Sequence, residues 1–374
     1  MSPETFYLGD SLPPVPAHLR WRESSNPLGS IFYTIRSAIL KLSHPIHKPG
    51  ILPNPDEIKH LLVVQVERLG DLVLAEPAFR ALHDHFPNAV RILLAADFAR
   101  PLFNQTGWDD FLSPRDLVDI AAKRRHFDLV VDLTGRLELN IARSLARSGI
   151  PIRVGLDRGG RGVYYTISVP HCEISIPTRE IYLKIVSALG VQAKDAIPRL
   201  PKDEARLKRG ARAWKDRGLH QPVVLLPGAY YPEQRWAAGK FAQVGKLLRN
   251  EGVEVAVICG PGEEGLGGAV AHEVGIPLIA AAPLNELLDL LATVTVVVCN
   301  NSGPLHLAAA LGIPTVSTMG PTVPWRWWPL STAPAFVFRG GTDEPRGNME
   351  KILPAQVFET VRFLLREKRS DYYP

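Results

Sequence analysis

Residues 295–320, TVVVCNNSGPLHLAAALGIPTVSTMG, decide how this chain folds. TVVVCN is an apolar, β-branched run too short for a helix and without polar alternation, which reads as a strand buried on both faces. GPLHLAAALG follows as a helical run of small residues, and IPTVSTMG as a second buried strand. Strand, turn, helix and strand in that order make a βαβ unit, the repeating piece of a parallel sheet covered on both faces.

The same alternation extends outward. On the amino-terminal side run PVVLLPG, GKFAQVGKLLRNEG, VEVAVICG, GEEGLGGAVAHEVG, IPLIA and LNELLDLLATV; earlier still come LLVVQV, LVLAEPAFRALHDHF, VRILLAA, RDLVDIAAKRRHF, DLVVDL, LELNIARSLARSG and IPIRVGL. These predict an α/β chain with two doubly wound, Rossmann-like domains, at 60–200 and 220–345. A less regular segment with the charged helix KDEARLKRGARAWKDRG lies between them. Residues 346–374, with PAQVFETVRFLLREK, read as a last helix packing back toward the first domain. Open α/β sheets take ligands outside the carboxyl ends of their strands, so the two domains are expected to face each other across a cleft.

Residues 1–59 are a proline-rich appendage. Within it, LGSIFYTIRSAILKL places Leu28, Ile31, Phe32, Ile35, Ile39 and Leu42 on one helical stripe, with Arg36 and Lys41 outside it. Such an amphipathic helix either docks on its own protein or lies on a membrane surface, and Arg20, Trp21 and Arg22 stand nearby.

Among 374 residues, 46% are apolar and 22% charged, the balance of a soluble globular protein. A net charge of +5 suits an anionic small ligand or an anionic lipid surface and points to no nucleic acid partner. Cys172, Cys259 and Cys299 lie far apart, as reduced thiols in a cytoplasmic protein do, with no zinc-ligand spacing. No apolar run reaches about 18 residues, and the first residues, MSPETFYLGDSLPPVP, lack the features of a signal peptide.

Three constellations carry chemistry. In NNSGPLH, Ser302 or Gly303 can cap a helix and Pro304 suits its first turn; the remaining N–H groups make an anion site, with His306 in reach of a phosphate oxygen. Capping alone, with His306 as a core residue, is the structural alternative. In LLPGAYYPEQRWAAGKF, Arg235 can clamp a phosphate and Trp236 can wall a pocket, or they are a surface Arg and a core Trp. In VERLGDLVLAEPAF, Arg68 and Gly70 form a tight turn before Asp71, which is either a helix cap or a general base. The spacing of a dinucleotide-binding fingerprint is absent. The indoles of TVPWRWWPL, Trp325, Trp327 and Trp328, read as packing or as groups lining a cleft or a headgroup zone.

RLGDLVLAEPAFRAL, PGAYYPEQRW, GKFAQVGKLL, CGPGEE and NNSGPLHLAAALGIPTVSTMGPT occur in the order and approximate spacing of glycosyltransferase family 9, and over about residues 60–365 the chain resembles that family. It contains the ADP-heptose:lipopolysaccharide heptosyltransferases. The resemblance implies a GT-B fold and an inverting sugar transfer from a nucleotide sugar, ADP-heptose, to a lipid-linked saccharide acceptor such as the lipopolysaccharide core. The indoles and the 28–42 helix further suggest peripheral contact at the cytoplasmic, inner face of the membrane, where a lipid-linked acceptor would sit. Asp71 falls at the catalytic-base position, supported by Arg68 and Gly70. Gly228, Gln234, Arg235, Gly260, Glu263, Asn301, Ser302, Gly303, Pro304, Leu305 and His306 fall at the donor site. The chain departs from the usual pattern at Gln234, where Lys is common, at Asn301, where Asp is common, and in RGGTDEPRGNMEKILP, which lacks a cysteine-rich loop. No tightly bound cofactor is implied; Mg²⁺ could accompany the donor, without a protein-coordinated metal site. The alternatives are transfer from another nucleotide sugar, or a nucleotide-sugar-binding protein or epimerase with no acceptor.

Overall fold

The computed structural model describes residues 5–7, 27–43, 52–103, 107–171, 176–322, 324–340 and 348–369. The chain divides into two units: Arg20–Ala196, and Ile197–Pro374 together with Met1–Leu19. In the second unit the strand β1 (Thr5–Tyr7) forms one edge of the sheet, antiparallel to a late strand.

The first unit begins with helix α1 (Pro27–Ser43) and then alternates as its periodicity predicts. β2 (His60–Gln65) leads to α2 (Leu69–Leu74) and α3 (Glu76–His85), and β3 (Val90–Ala95) to α4 (Arg100–Phe103) and β4 (Asp110–Leu112). α5 (Leu117–Ala121), β5 (Leu129–Asp132), α6 (Asn140–Arg147), β6 (Ile152–Asp157), β7 (Ile167–Pro170) and α7 (Thr178–Ser187) complete it. The six strands pair in parallel in the order β4-β3-β2-β5-β6-β7. Leu61–Val64 and Leu129–Val131 are fully buried, as central strands of a sheet covered on both faces must be.

The second unit carries α8 (Glu204–Lys215), β8 (Val223–Leu226), α9 (Ala238–Asn250), β9 (Val255–Cys259), α10 (Glu264–Val274), β10 (Leu278–Ala280) and α11 (Leu284–Leu291). There follow β11 (Val296–Asn300), α12 (Gly303–Ala310), β12 (Thr315–Met319), β13 (Ala335–Arg339) and α13 (Pro354–Arg369). Its sheet runs β1-β13-β12-β11-β8-β9-β10, parallel except for β1. The last helix, expected to pack back toward the first domain, instead buries Val357, Phe358, Val361 and Leu364 in the core of the second unit, where it lies on α9.

The order of each sheet holds the key to its site. Chain progress reverses between β2 and β5 in one sheet and between β8 and β11 in the other. At such switch points the loops leaving adjacent strands part in opposite directions and open a crevice beyond the carboxyl ends.

Two open readings narrow. Trp325 and Trp328 are buried and Trp327 is half-buried, which favours packing for the indole cluster. In α1 the apolar stripe does not dock the helix: Phe32, Ile35, Ile39 and Leu42 are all exposed. The side chains of Leu28 and Ile31, and all of Arg20, Trp21, Arg22 and Cys172, lie outside the described residues. Cys259 and Cys299 are buried free thiols, and burial raises the pKa of both. No helix among the described residues is long and apolar enough to cross a membrane.

Helix packing here depends on close approach. A Cβ built on Gly210 of α8 would lie 2.0 Å from the Asp289 carbonyl oxygen of α11. Gly210→Ala should therefore wedge the helices apart and cost about 1–3 kcal/mol in urea unfolding. Gly268, inside α10, has nothing within 4 Å of such a Cβ. Gly268→Ala should stabilise by about 0.5–1 kcal/mol through the lost chain entropy of glycine. Equal shifts for the two variants would contradict the packing described.

Candidate functional site

In the second unit, everything predicted to hold a donor lies on the loops leaving β8, β9 and β11. One side chain ties the loop leaving β8 to the neighbouring strands. Asn300, the last residue of β11, is fully buried. Its amide nitrogen donates to the Pro227 carbonyl at 2.7 Å. Its amide oxygen accepts from the Trp236 N–H at 2.9 Å and from the Thr318 hydroxyl at 2.8 Å. Asn300 thus fixes both ends of the loop 227–236 against the neighbouring strands β11 and β12. Trp236 anchors the far end of the loop in the core, its indole N–H donating to the Ile352 carbonyl at 3.3 Å.

Gly228, Gly260 and Glu263 meet over β8 and β9. A Cβ on Gly228 would fall 1.8 Å from Glu263 Oε2, so only glycine lets this carboxylate lie across the loop. The same oxygen accepts from the Gly260 N–H at 3.1 Å. Arg235 donates through Nε to the Ala229 carbonyl at 2.8 Å, and its Nη2 stands 3.7 Å from Glu263 Oε1. The guanidinium is held by its inner edge, and its outer nitrogens pair only loosely. Gln234 precedes it in a short 3₁₀ turn, Pro232–Gln234, and is half-buried.

The turn Ser302-Gly303-Pro304-Leu305 opens α12, with Ser302 in the extended conformation of an N-cap. Its hydroxyl turns back to the Asn300 carbonyl at 3.3 Å instead of capping the helix. Pro304 has no N–H, and the N–H of Leu305 turns back to the Ser302 carbonyl at 3.1 Å. The tip therefore has less to offer an anion than the sequence suggested, and its contribution centres on the Gly303 N–H. Leu305 and His306 are buried, and Leu305 is a core residue. Asn301 is also buried, donating to the Thr322 hydroxyl at 2.9 Å.

In the first unit, Asp71 is the third residue of α2, and the residue in the cap position is Arg68, whose side chain makes no cap hydrogen bond. Asp71 is thus not the helix cap. It is buried, as is Gly70 before it, and Asp71 Oδ1 accepts from the Tyr182 hydroxyl of α7 at 3.1 Å. Burial, with the carboxylates Asp71 and Glu67 nearby, holds the Tyr182 phenol far above its ordinary pKa, so it remains a donor.

Glu67 crosses the switch point of this sheet, with Oε1 accepting from the Gly135 N–H beyond β5 at 2.9 Å. Desolvation, and next the charge of Asp71, push its carboxyl up to about 7, against the pull of the Gly135 N–H and Arg136. Beneath that loop, Arg161 Nη2 meets Asp132 Oδ2 at 2.6 Å and the hydroxyls of Thr134 and Tyr165 at 2.7 and 2.8 Å. Arg161 Nη1 donates to the carbonyls of Thr134 and Arg136 at 2.9 and 2.8 Å.

The sequence reading assigned no role to Asn300, Glu67, Tyr182 or the Asp132–Arg161–Tyr165 cluster. A signal did exist for three of them. Asn300 and Asp132 end apolar strands, where a buried polar side chain must find partners, and Glu67 precedes Asp71 in the same turn. Tyr182 had none, because the segment around α7 lacks strong periodicity. No group of three His, Cys, Asp or Glu side chains able to hold a metal ion occurs among the described residues.

Residues 121–353 match the family model described as glycosyltransferase family 9 (heptosyltransferase). The lipopolysaccharide heptosyltransferase 2 of Salmonella typhimurium is 25% identical over 354 residues, covering 82% of this chain and 99% of that protein. Among solved structures, Escherichia coli ADP-heptose lipopolysaccharide heptosyltransferase II superposes with a TM-score of 0.71 at 22% identity, covering 83% of this chain and 99% of that one. A family 9 glycosyl transferase from Veillonella parvula gives 0.73 at 18% identity, covering 83% and 97%. These likenesses establish the GT-B fold class.

Two measurements test the geometry. Asn300→Ala would strand the buried Trp236 N–H and the Thr318 hydroxyl and should cost about 2–4 kcal/mol of stability, since each unpaired group costs roughly 1–3 kcal/mol. A urea midpoint within error of the parent would dispose of this staple. Glu67, with a folded pKa raised from 4.5 to about 7, holds its proton in the folded state through a window in which the unfolded chain has lost it. Stability should therefore fall as pH rises across that window, by on the order of 2–3 kcal/mol from this group. Glu67→Gln should flatten that slope and be the more stable form above pH 7; parallel pH profiles for the two would count against it.

Proposed function

The chain belongs to glycosyltransferase family 9, and on that premise we propose that it transfers a heptosyl group from ADP-heptose to a saccharide of the lipopolysaccharide core, with inversion. The observation that carries the reading is the placement of both sets of site residues at sheet switch points: Asp71 beyond β2, and the Asn300-held loop with Gly228, Arg235 and Glu263 beyond β8 and β9.

In this reading the second unit holds the donor. The diphosphate lies against the Gly303 N–H and the outer nitrogens of Arg235. A charge-assisted hydrogen bond to phosphate is the stronger option for a guanidinium that meets Glu263 only at 3.7 Å. Glu263 is placed to accept from hydroxyls of the nucleoside, and Gly228 keeps the loop low enough for it to do so. Asn301, Ser302 and His306 complete the donor side. With Gln234 neutral, Arg235 is the cation this loop supplies. Mg²⁺, where it takes part, enters on the donor phosphates.

The first unit activates the acceptor. As the anomeric carbon–oxygen bond to the β-phosphate breaks, its electron pair leaves on the diphosphate. The acceptor hydroxyl oxygen bonds to the anomeric carbon from the opposite face, and its proton passes to Asp71. ADP and a glycoside of inverted configuration result. Tyr182 donates to Asp71 Oδ1 and so orients the carboxylate that takes the proton. Fixed donors around the leaving phosphates stabilise charge that develops only in the transition state. Arg68 and Gly70 shape the turn that presents Asp71. We place the reaction in the cytoplasm, where reduced thiols such as Cys259 and Cys299 persist, at the inner face of the membrane where a lipid-linked acceptor is met.

Asp71→Asn should lower kcat about 100-fold or more, the scale of general-base loss, with donor affinity changed only a few-fold. ADP release from ADP-heptose should require the saccharide acceptor. An epimerase would convert the free nucleotide sugar alone, so turnover without acceptor, or full turnover in the Asn variant, would reject this assignment.

A further inference from the structure

We propose that α1 is a membrane-docking helix whose outward apolar face inserts into a surface of anionic phospholipids. This extends the transferase reading by naming where the enzyme meets a bilayer, and it rests on that reading only for its purpose.

The seat of the helix is polar and specific. Arg36 Nε donates to the Gly159 carbonyl at 2.9 Å and Nη2 to the Leu137 carbonyl at 2.7 Å, while the guanidinium lies 4.7 Å from the Tyr33 ring centroid. Lys41 Nζ pairs with Asp157 Oδ2 at 2.9 Å. Beneath the helix, Gly159 and Gly160 adopt φ of +61° and +88°, a region that favours glycine. A Cβ on Gly160 would also come within 2.9 Å of Ser37 Cα, so the backbones could not approach as they do. Turning the helix to bury its stripe would break all of these contacts.

The opposite face is left to solvent. Phe32, Ile35, Ile39 and Leu42 are 59%, 54%, 59% and 88% exposed. Their spacing lines them along one side of the helix for about 15 Å, a contiguous apolar strip of the kind that marks an interaction surface. A helix held by its charged side and offering its apolar side is oriented for an external apolar phase.

Charge selects the occupant. Residues 20–48 carry Arg20, Arg22, Arg36, Lys41 and Lys48 against a single acid, Glu23, with Trp21 among them. Among the described side chains, Lys41 and Arg136 are 57% and 50% exposed beside the seat. An apolar strip on a segment of net positive charge fits anionic headgroups above acyl chains. A second copy would bring a segment of the same net charge against this one, which works against self-association.

Flotation of the full chain with phosphatidylglycerol-containing vesicles, compared with pure phosphatidylcholine, tests this. The parent should float with the anionic vesicles and be released by high salt. The combined variant Phe32→Ser, Ile35→Ser, Ile39→Ser, Leu42→Ser should lose about tenfold or more in vesicle affinity. Its melting temperature and its transfer to a water-soluble acceptor should stay unchanged, since these side chains are exposed and none is a candidate site residue. Undiminished flotation of the variant, or no flotation of the parent, overturns the proposal. So does light scattering that shows a dimeric parent and a monomeric variant, which would make the face a self-association surface. Vesicle binding is scored without any sugar transfer, so docking and transferase activity can fail independently.

Discussion

Where a parallel sheet changes direction, the loops leaving two adjacent strands part, and their backbone polar groups lose ladder partners while still under cover. That constraint governs both units of this protein, because an unpaired buried donor or acceptor costs as much as several good contacts supply. In the second unit the answer is one amide, Asn300, bonded to Pro227, Trp236 and Thr318. In the first it is a set of charges: Glu67 reaching Gly135, and Arg161 with Asp132 beneath the same loop. Asn300 thereby holds the loop that carries Gly228 and Arg235.

The two solutions differ in electrostatic character, and the difference suits the parts assigned to them. In the second unit a neutral amide does the holding, and Arg235 and Glu263 near it pair only loosely, at 3.7 Å. The first unit instead gathers carboxylates. Burial, and next the charge of Asp71, push Glu67 toward its protonated form, while Tyr182 donates to Asp71 and the Gly135 N–H donates to Glu67.

The helix α1 shows how polar geometry can outweigh an apolar stripe. Hydrophobic burial is roughly proportional to area and indifferent to direction, so the stripe alone could have faced either way. The Gly159-Gly160 turn and the carbonyls of Leu137 and Gly159 offer acceptors that only the Arg36 side can use. Position then follows from hydrogen-bond direction, and the apolar residues are left outside.

Strand and helix alternation was legible throughout, because parallel strands buried on both faces are continuous apolar runs such as LLVVQV, VVLL and VVVCN. The edge strand β7, the strand β13 and the helix α7 escaped, for each gains its order from neighbours more than from its own pattern. The glycines, Arg235, Glu263 and Asp71 could be picked out as types suited to phosphate and proton transfer. The sequence by itself therefore determined the α/β class, the two-unit plan and the turns rich in such residue types, since periodicity and turn residues act locally. Only the tertiary structure decided that Asn300 is the staple, that Tyr182 holds Asp71, that α13 stays within its own unit and that α1 turns its apolar face outward. Each of those outcomes depends on a hydrogen-bond partner or packing surface many residues away, which no local pattern encodes.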